Sequence, residues 1–236
     1  MERILEGRLA LVTGASRGVG AATAIALARM GAHVVIAARD DLGLTVTDDA
    51  IRAAGGEATL LPADLIRADV TDQIGASLYQ RFGRLDIMVH AAGAIGQLTA
   101  TSQIDQADWD RAFGINVAAT WRLIRSTEPL LRAAGHGRVV VLTHEVASTP
   151  RPYWALAGAS MAARQGLVLA WAAELIRTDL RVNLFDPVAE LWLAEGTEAG
   201  ELPPYDAMAA TVAAMCLPSE GRHGVVVRCS AADLNG

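Results

Sequence analysis

The clearest chemical potential in this chain lies near its amino terminus, in the run Thr13-Gly14-Ala15-Ser16-Arg17-Gly18-Val19-Gly20. It follows a short apolar stretch, Leu9 to Thr13, and opens an alanine-rich one, Val19 to Met30. Between a strand and a helix, that spacing suits phosphate. Gly14 permits a tight turn, Gly18 lets backbone approach a pyrophosphate, Gly20 allows close packing of helix on strand, and the helix start favours negative charge. A second candidate is His144-Glu145, because histidine is the usual general base near neutral pH. It is not a metal motif, since no second histidine follows at helical spacing. It reads either as an acid or base for non-redox chemistry or as a replacement without chemistry. His33, His90, His136 and His223 belong to no constellation and are expected to be structural or exposed. Cys216 and Cys229 lack ligand spacing and read as small hydrophobes, so no metal site is expected. All twenty residues counted as Lys+Arg are arginine, which excludes any chemistry that requires a lysine.

The elements that must position these groups alternate regularly. Leu9 to Thr13 and His33 to Ala38 are apolar and β-rich, and they flank the helical pattern of Val19 to Met30. Helices are expected at Asp41 to Ala53, Thr71 to Phe82, Asp108 to Ala133 and Trp154 to Arg177. Strands are expected at Ala58 to Leu61, Asp86 to Val89, Arg138 to Thr143 and Arg181 to Phe185. Val188 to Tyr205 has little periodicity and reads as loop, before a last helix at Asp206 to Cys216 and a last strand at Val225 to Arg228. Continuously apolar strands separated by helices predict an α/β fold: one Rossmann-type, doubly wound parallel sheet with helices on both faces. At 236 residues, a single domain spanning 1–236 is the expectation.

Composition narrows the partners. The formal charge of −6 and the scattered basic residues disfavour nucleic acid and anionic lipid. The apolar stretches, such as Leu167 to Ala173, fall short of a membrane span, and Met1 to Arg8 shows no targeting signal, so a cytoplasmic location is expected.

The T-G-x-x-x-G-x-G loop resembles that of the short-chain dehydrogenase/reductase superfamily, and further motifs follow at fixed intervals. Asp64 stands where that family has an adenine-contacting aspartate, and His90-Ala91-Ala92-Gly93 replaces its N-N-A-G turn. Asn116 in Ile115-Asn116-Val117 matches its helix asparagine, and Arg181-Val182-Asn183 matches the strand after its catalytic helix. The resemblance spans about Leu9 to Arg228. It implies a dinucleotide held by Gly14, Ser16, Arg17, Gly18, Gly20, Arg39, Asp64 and Gly93. Ala38 stands where an acidic residue would bind a ribose 2′-hydroxyl, so with Arg39 and Arg17 beside it the implied cofactor is NADP(H), unless both arginines are simply solvated.

At the reacting end the resemblance implies a loss. The family's serine, tyrosine and lysine fall on His144, Ala157 and Met161, leaving Asn116 as the retained member of its catalytic set. Val188 replaces the glycine after the sixth strand. Tyr153 and Arg164 could share a helical face with Ala157 and Met161, but they would lie roughly 16 Å apart along the axis. The favoured expectation is an inactive reductase-like subunit that pairs with an active homologue, as a homo- or hetero-oligomer, through helices 108–133 and 154–177. Trp121, Leu167, Leu169 and Trp171 are the candidate anchors there. The alternatives are a non-redox dehydratase, isomerase or cyclase using His144, and an NADP(H)-responsive binding protein.

Overall fold

The computed structural model describes residues 3–187 and 205–229. The loop expected from Val188 lies outside the described residues, as does Val188 itself. Seven strands form one sheet: β1 (Leu9–Thr13), β2 (His33–Ala38), β3 (Glu57–Pro62), β4 (Ile87–His90), β5 (Arg138–Leu142), β6 (Arg181–Asp186) and β7 (Val226–Arg228). Their spatial order is β3-β2-β1-β4-β5-β6-β7, with every pairing parallel. The order reverses between β1 and β4, which opens a crevice at the carboxyl ends of those two strands.

Side-chain alternation along each strand divides the core into two layers. Ala10, Val12, Val34 and Ile36 pack with Leu27 of α1 (Gly18–Arg29) and Val212 of α7 (Tyr205–Met215). Leu11, Val35, Val139 and Val141 pack on the other face with Leu78 of α3 (Ala68–Phe82), Leu123 of α5 (Ala119–Ala133) and Val168 of α6 (Ala155–Glu174). The strands read as unbroken apolar runs because both faces are covered. The remaining helices are α2 (Asp41–Ala53), whose first turn is capped by Asp40, and α4 (Gln106–Phe113), capped by Asp105.

The long helix expected over 108–133 is interrupted. A π-turn over Gly114–Ala118 separates α4 from α5, and it frees the carbonyl of Asn116 to accept side-chain donors. Such a turn leaves no hydrophobic signature in the sequence, because apolar spacing continues through it.

Helices α3 and α5 approach closely at one glycine. A Cβ built on Gly75 would lie 1.8 Å from the Ser126 carbonyl oxygen, whereas one on Gly166 of α6 would meet nothing within 4 Å. Gly75→Ala is therefore expected to destabilise by about 1–3 kcal/mol. Gly166→Ala should instead stabilise by about 0.5–1 kcal/mol. Urea unfolding of the two variants checks the pair, and equal effects would contradict this packing.

Candidate functional site

A cleft of about 430 Å³ opens at the topological switch point. Of the residues expected to hold a dinucleotide, Gly14, Ser16, Arg17, Gly20, Arg39, Asp64 and Gly93 line it. Gly18 does not line it; it supplies a left-handed turn at φ 60 where α1 begins. Glycine is required at two positions of the loop. A Cβ on Gly14 would lie 2.6 Å from the Ala92 amide nitrogen, and one on Gly20 would lie 2.2 Å from the Gly14 carbonyl oxygen. The loop thus sits directly on the β4 turn, with the start of α1 behind it.

The groups around this half of the cleft suit a phosphate-bearing ligand. Arg17, at the start of α1, offers no side-chain cap, so the first-turn amides are open to an anion. Arg39 and Arg111 line the cleft, are exposed, and form no ion pair among the described residues. Asp40 is occupied in capping Gly43, and Asp64 accepts from the Ile66 amide at 3.2 Å. Sequence reasoning missed Arg111 and Tyr205, which reach the cleft from α4 and α7. No motif marks them, since neither is near the glycine loop in sequence.

The other end is organised by a side chain that the sequence left without a role. Arg164 on α6 is completely buried. Its Nε donates to the Asn116 carbonyl at 2.8 Å, Nη1 to Leu142 at 3.0 Å, and Nη2 to Ala92 at 2.7 Å. Burial pulls its pKa down to about 9, so it remains cationic at neutral pH. The guanidinium thus joins the π-turn, the end of β5 and the turn after β4.

His90 lies beside this cation, also fully buried. Nδ1 lies 2.7 Å from the Thr13 hydroxyl, and Nε2 lies 3.0 Å from the Thr120 hydroxyl and 3.3 Å from Arg164 Nη2. Burial, and then the Arg164 charge, hold His90 well below the ordinary histidine range. It is a neutral strut.

Asn116 is buried and fully engaged. Its Oδ1 accepts from the Ala94 amide, and its Nδ2 donates to the Ala94 carbonyl and to Ser160 Oγ. Ala157 packs in an apolar cluster with Val146 and Trp154, and Met161 is completely buried. A Cβ on Gly93 would find Asn116 Oδ1, Arg164 Nη1 and the Met161 methyl within 3.5 Å. Asn116, His144, Ala157 and Met161 all stand outside the cleft lining, apart from the glycine-loop group.

His144 Nδ1 accepts from the Val146 amide at 3.1 Å, and its ring lies 5.2 Å from Trp154. Burial lowers its pKa, opposed by Glu145 and assisted by Arg151, with which Glu145 is ion-paired. Tyr153 departs from expectation: it precedes α6, is exposed, and takes a left-handed backbone at φ 70, so it shares no helical face with Ala157. Of the other histidines, His33 meets Thr59 across β2 and β3, the His223 ring meets the Val182 amide and the Ala172 carbonyl, and His136 is exposed. Among the described residues no cluster could hold a metal ion, and no helix is long and apolar enough to cross a membrane.

Asp186, at the end of β6, was not anticipated. It is 4% exposed, its Oδ2 pairs with Arg228 Nε at 3.3 Å, and its Oδ1 has no partner among the described residues. Burial raises its pKa to about 6, with Glu145 adding to the shift and Arg228 opposing it.

Two stability predictions follow from these buried charges. Arg164→Met leaves the carbonyls of Asn116, Leu142, Ala92 and Ile115 facing an apolar side chain and should cost about 3 kcal/mol or more, read by urea unfolding. Asp186 holds its proton in the folded chain up to about pH 6 and loses it near 3.8 when unfolded. Its penalty is thus absent below pH 4, grows between pH 4 and 6, and is complete above that, at about 2–3 kcal/mol. Asp186→Asn should raise the thermal midpoint at pH 7.5 and leave it nearly unchanged at pH 4; equal shifts at both would contradict the linkage.

With this geometry in view, comparison with known proteins is specific. The chain matches the short chain dehydrogenase family over residues 8–189. It is 31% identical over 220 residues to an uncharacterized oxidoreductase of Methylorubrum extorquens, covering 92% of this chain and 86% of that one. It is 32% identical over 184 residues to a 3-oxoacyl-[acyl-carrier-protein] reductase of Synechocystis, covering 78% and 74%. Among solved structures, a metagenomic short-chain oxidoreductase in complex with NADP superposes with a TM-score of 0.83 at 32% identity, covering 96% of this chain and 99% of that one. Sheet order, glycine loop and these relatives agree, and the chain belongs to the short-chain dehydrogenase/reductase superfamily.

Proposed function

We propose that this chain is an NADP(H)-binding subunit of the short-chain dehydrogenase/reductase superfamily that carries out no hydride transfer of its own and pairs with an active homologue. The observation that carries the reading is the packing of the reacting end. Ala157 is enclosed by Val146 and Trp154, and the Arg164 guanidinium is committed to backbone carbonyls.

A bound nicotinamide dinucleotide supplies or accepts a hydride, but carbonyl reduction also needs a proton delivered to the substrate oxygen. A positioned donor for that proton is typically worth about 10² to 10⁴ in rate. Lysine chemistry is excluded by composition, and Tyr153 stands exposed before the helix. The Asn116 amide is spent on Ala94 and Ser160, and the Ser160 hydroxyl donates to the Leu156 carbonyl. His144 Nδ1 accepts from the Val146 amide, so its neutral ring carries the proton on Nε2, which argues against His144 as the general base of a non-redox enzyme.

The cofactor half of the reading rests on fit. Gly14 and Gly20 let the loop fold down onto the β4 turn, where a Cβ would strike backbone, the first turn of α1 carries no side-chain cap, and Arg39 and Arg111 face the cleft without ion partners among the described residues. These residues would hold the phosphates, and Arg39 beside the apolar Ala38 would favour a 2′-phosphate. An NADP(H)-responsive sensor uses the same half-site and differs only in its partner.

For pairing, α5 and α6 offer a surface. Trp121 is 45% exposed, with the Arg125 guanidinium 4.7 Å from its ring centroid. On α6, Ala159, Ala162, Gly166, Ala170 and Ala173 are exposed and uncharged, which allows close helix approach. Trp171 is not an anchor, because it is buried and donates to Glu128.

The test is titration with NADPH, followed by assay of NADPH oxidation with carbonyl substrates. Saturable binding without turnover, and co-elution with a co-encoded reductase, are expected. Turnover that survives removal of contaminating reductases would overturn the inactive reading, and no binding at millimolar NADPH would overturn the cofactor reading.

A further inference from the structure

On the edge of the sheet opposite the cleft, at the amino ends of the strands, a second cavity of about 400 Å³ is lined by Arg8, Arg138 and Arg181. Arg138 and Arg181 are direct partners in the parallel register of β5 and β6. Like charges placed opposite one another across a sheet repel, so this pairing needs compensation.

Carbonyls compensate only part of it. Arg138 is buried, and its guanidinium donates to the carbonyls of His136, Gly137, Asp179, Leu217 and Pro218. Burial, followed by the charges of Arg181 and Arg8, holds Arg138 below the ordinary arginine range. Arg181 uses Nη1 alone, on the carbonyls of Thr178 and Leu180, leaving Nε and Nη2 without partners among the described residues. Among the described residues Arg8 reaches only Asp86, at 3.6 Å.

The acids nearby are largely taken. Asp86 is held by two hydrogen bonds from Arg84 and one from the Leu9 amide, and Glu220 is chelated by Arg222. Asp179 alone lines the cavity without an ion pair among the described residues. Counting Arg84 with Asp86 and Arg222 with Glu220 as neutral pairs, three arginines against Asp179 leave an excess of two positive charges. That excess stands in a protein whose formal charge is −6.

We propose that this cavity, between Arg8, Arg138 and Arg181 at the amino edge of β1, β5 and β6, is a binding site for a small dianion of the inorganic phosphate class. The free Nε and Nη2 groups of Arg181 and Arg8 would receive its oxygens, and Arg138 would stay on its carbonyls as a fixed positive charge behind them. The charge balance selects a dianion over chloride, and Asp179 on the rim disfavours a more extended polyanion.

The test is calorimetric titration of the intact protein with inorganic phosphate at pH 8, with ionic strength held by sodium chloride. Saturable binding is expected, weakened about tenfold or more by Arg8→Gln, which removes a charge-assisted hydrogen bond to the anion. Arg181→Gln should act in the same direction, but it also uncaps two carbonyls, so Arg8→Gln is the deciding variant because Arg8 makes one long contact. Phosphate held by the glycine loop is distinguished by Arg39→Gln, which should leave this affinity unchanged. Absence of phosphate binding at 10-fold below the chloride concentration, binding insensitive to Arg8→Gln, or binding lost on Arg39→Gln alone would each overturn the proposal.

Discussion

The Arg164 guanidinium is a buried cation solvated by backbone instead of by a carboxylate, and much of the cleft's far end is arranged around it. A charge removed from water is tolerated only when fixed dipoles replace the water. Here the carbonyls of Asn116, Leu142 and Ala92 do so, and each comes from a different part of the chain. The π-turn at Gly114–Ala118 is part of the same arrangement, because an ideal helix would have engaged the Asn116 carbonyl internally. Arg164 therefore fixes β4, β5 and the start of α5 relative to one another at the crevice.

That constraint divides the crevice into unlike halves. Toward β1 and β2 the backbone is bare and tightly folded, with Gly14 and Gly20 touching neighbouring backbone and amides left open at α1. Toward β5 and α6 the side chains interlock, with Met161 and Ala157 buried and the polar atoms of Asn116 already partnered. One half can accept a ligand without rearrangement. The other would need packed side chains to move, at the cost of exposing apolar surface.

Buried charge recurs at the opposite edge in another form. Asp86 and Arg138 staple strand starts to neighbouring loops, Asp86 through the Leu9 amide and Arg138 through the carbonyls of residues 217 and 218. At the carboxyl end Asp186 is only half satisfied, and its proton affinity rises accordingly. The chain, which lacks lysine, uses arginine wherever a buried positive charge must meet several carbonyls. The planar fork of arginine suits that task, since five donors can be spread over several acceptors.

The sequence by itself determined the doubly wound sheet, because continuous apolar strands between amphipathic helices have few other ways to cover both faces. It also determined the glycine loop, since the close approaches at Gly14 and Gly20 admit no side chain and so restrict the residue type. The positions of Asn116, His144, Ala157 and Met161 were legible as residues, but their surroundings were not. Arg164 read as a residue on the Ala157 helix face too far from Tyr153 to pair with it, Tyr153 as sharing that face and 108–133 as one helix, because periodicity reports which face is apolar and not which carbonyls lack donors. Arg111, Tyr205, Asp186 and the Arg138 to Arg181 pairing were decided by tertiary structure alone. Each depends on groups far apart in sequence meeting at a strand end, and the compensation of a buried charge is set by where the chain returns.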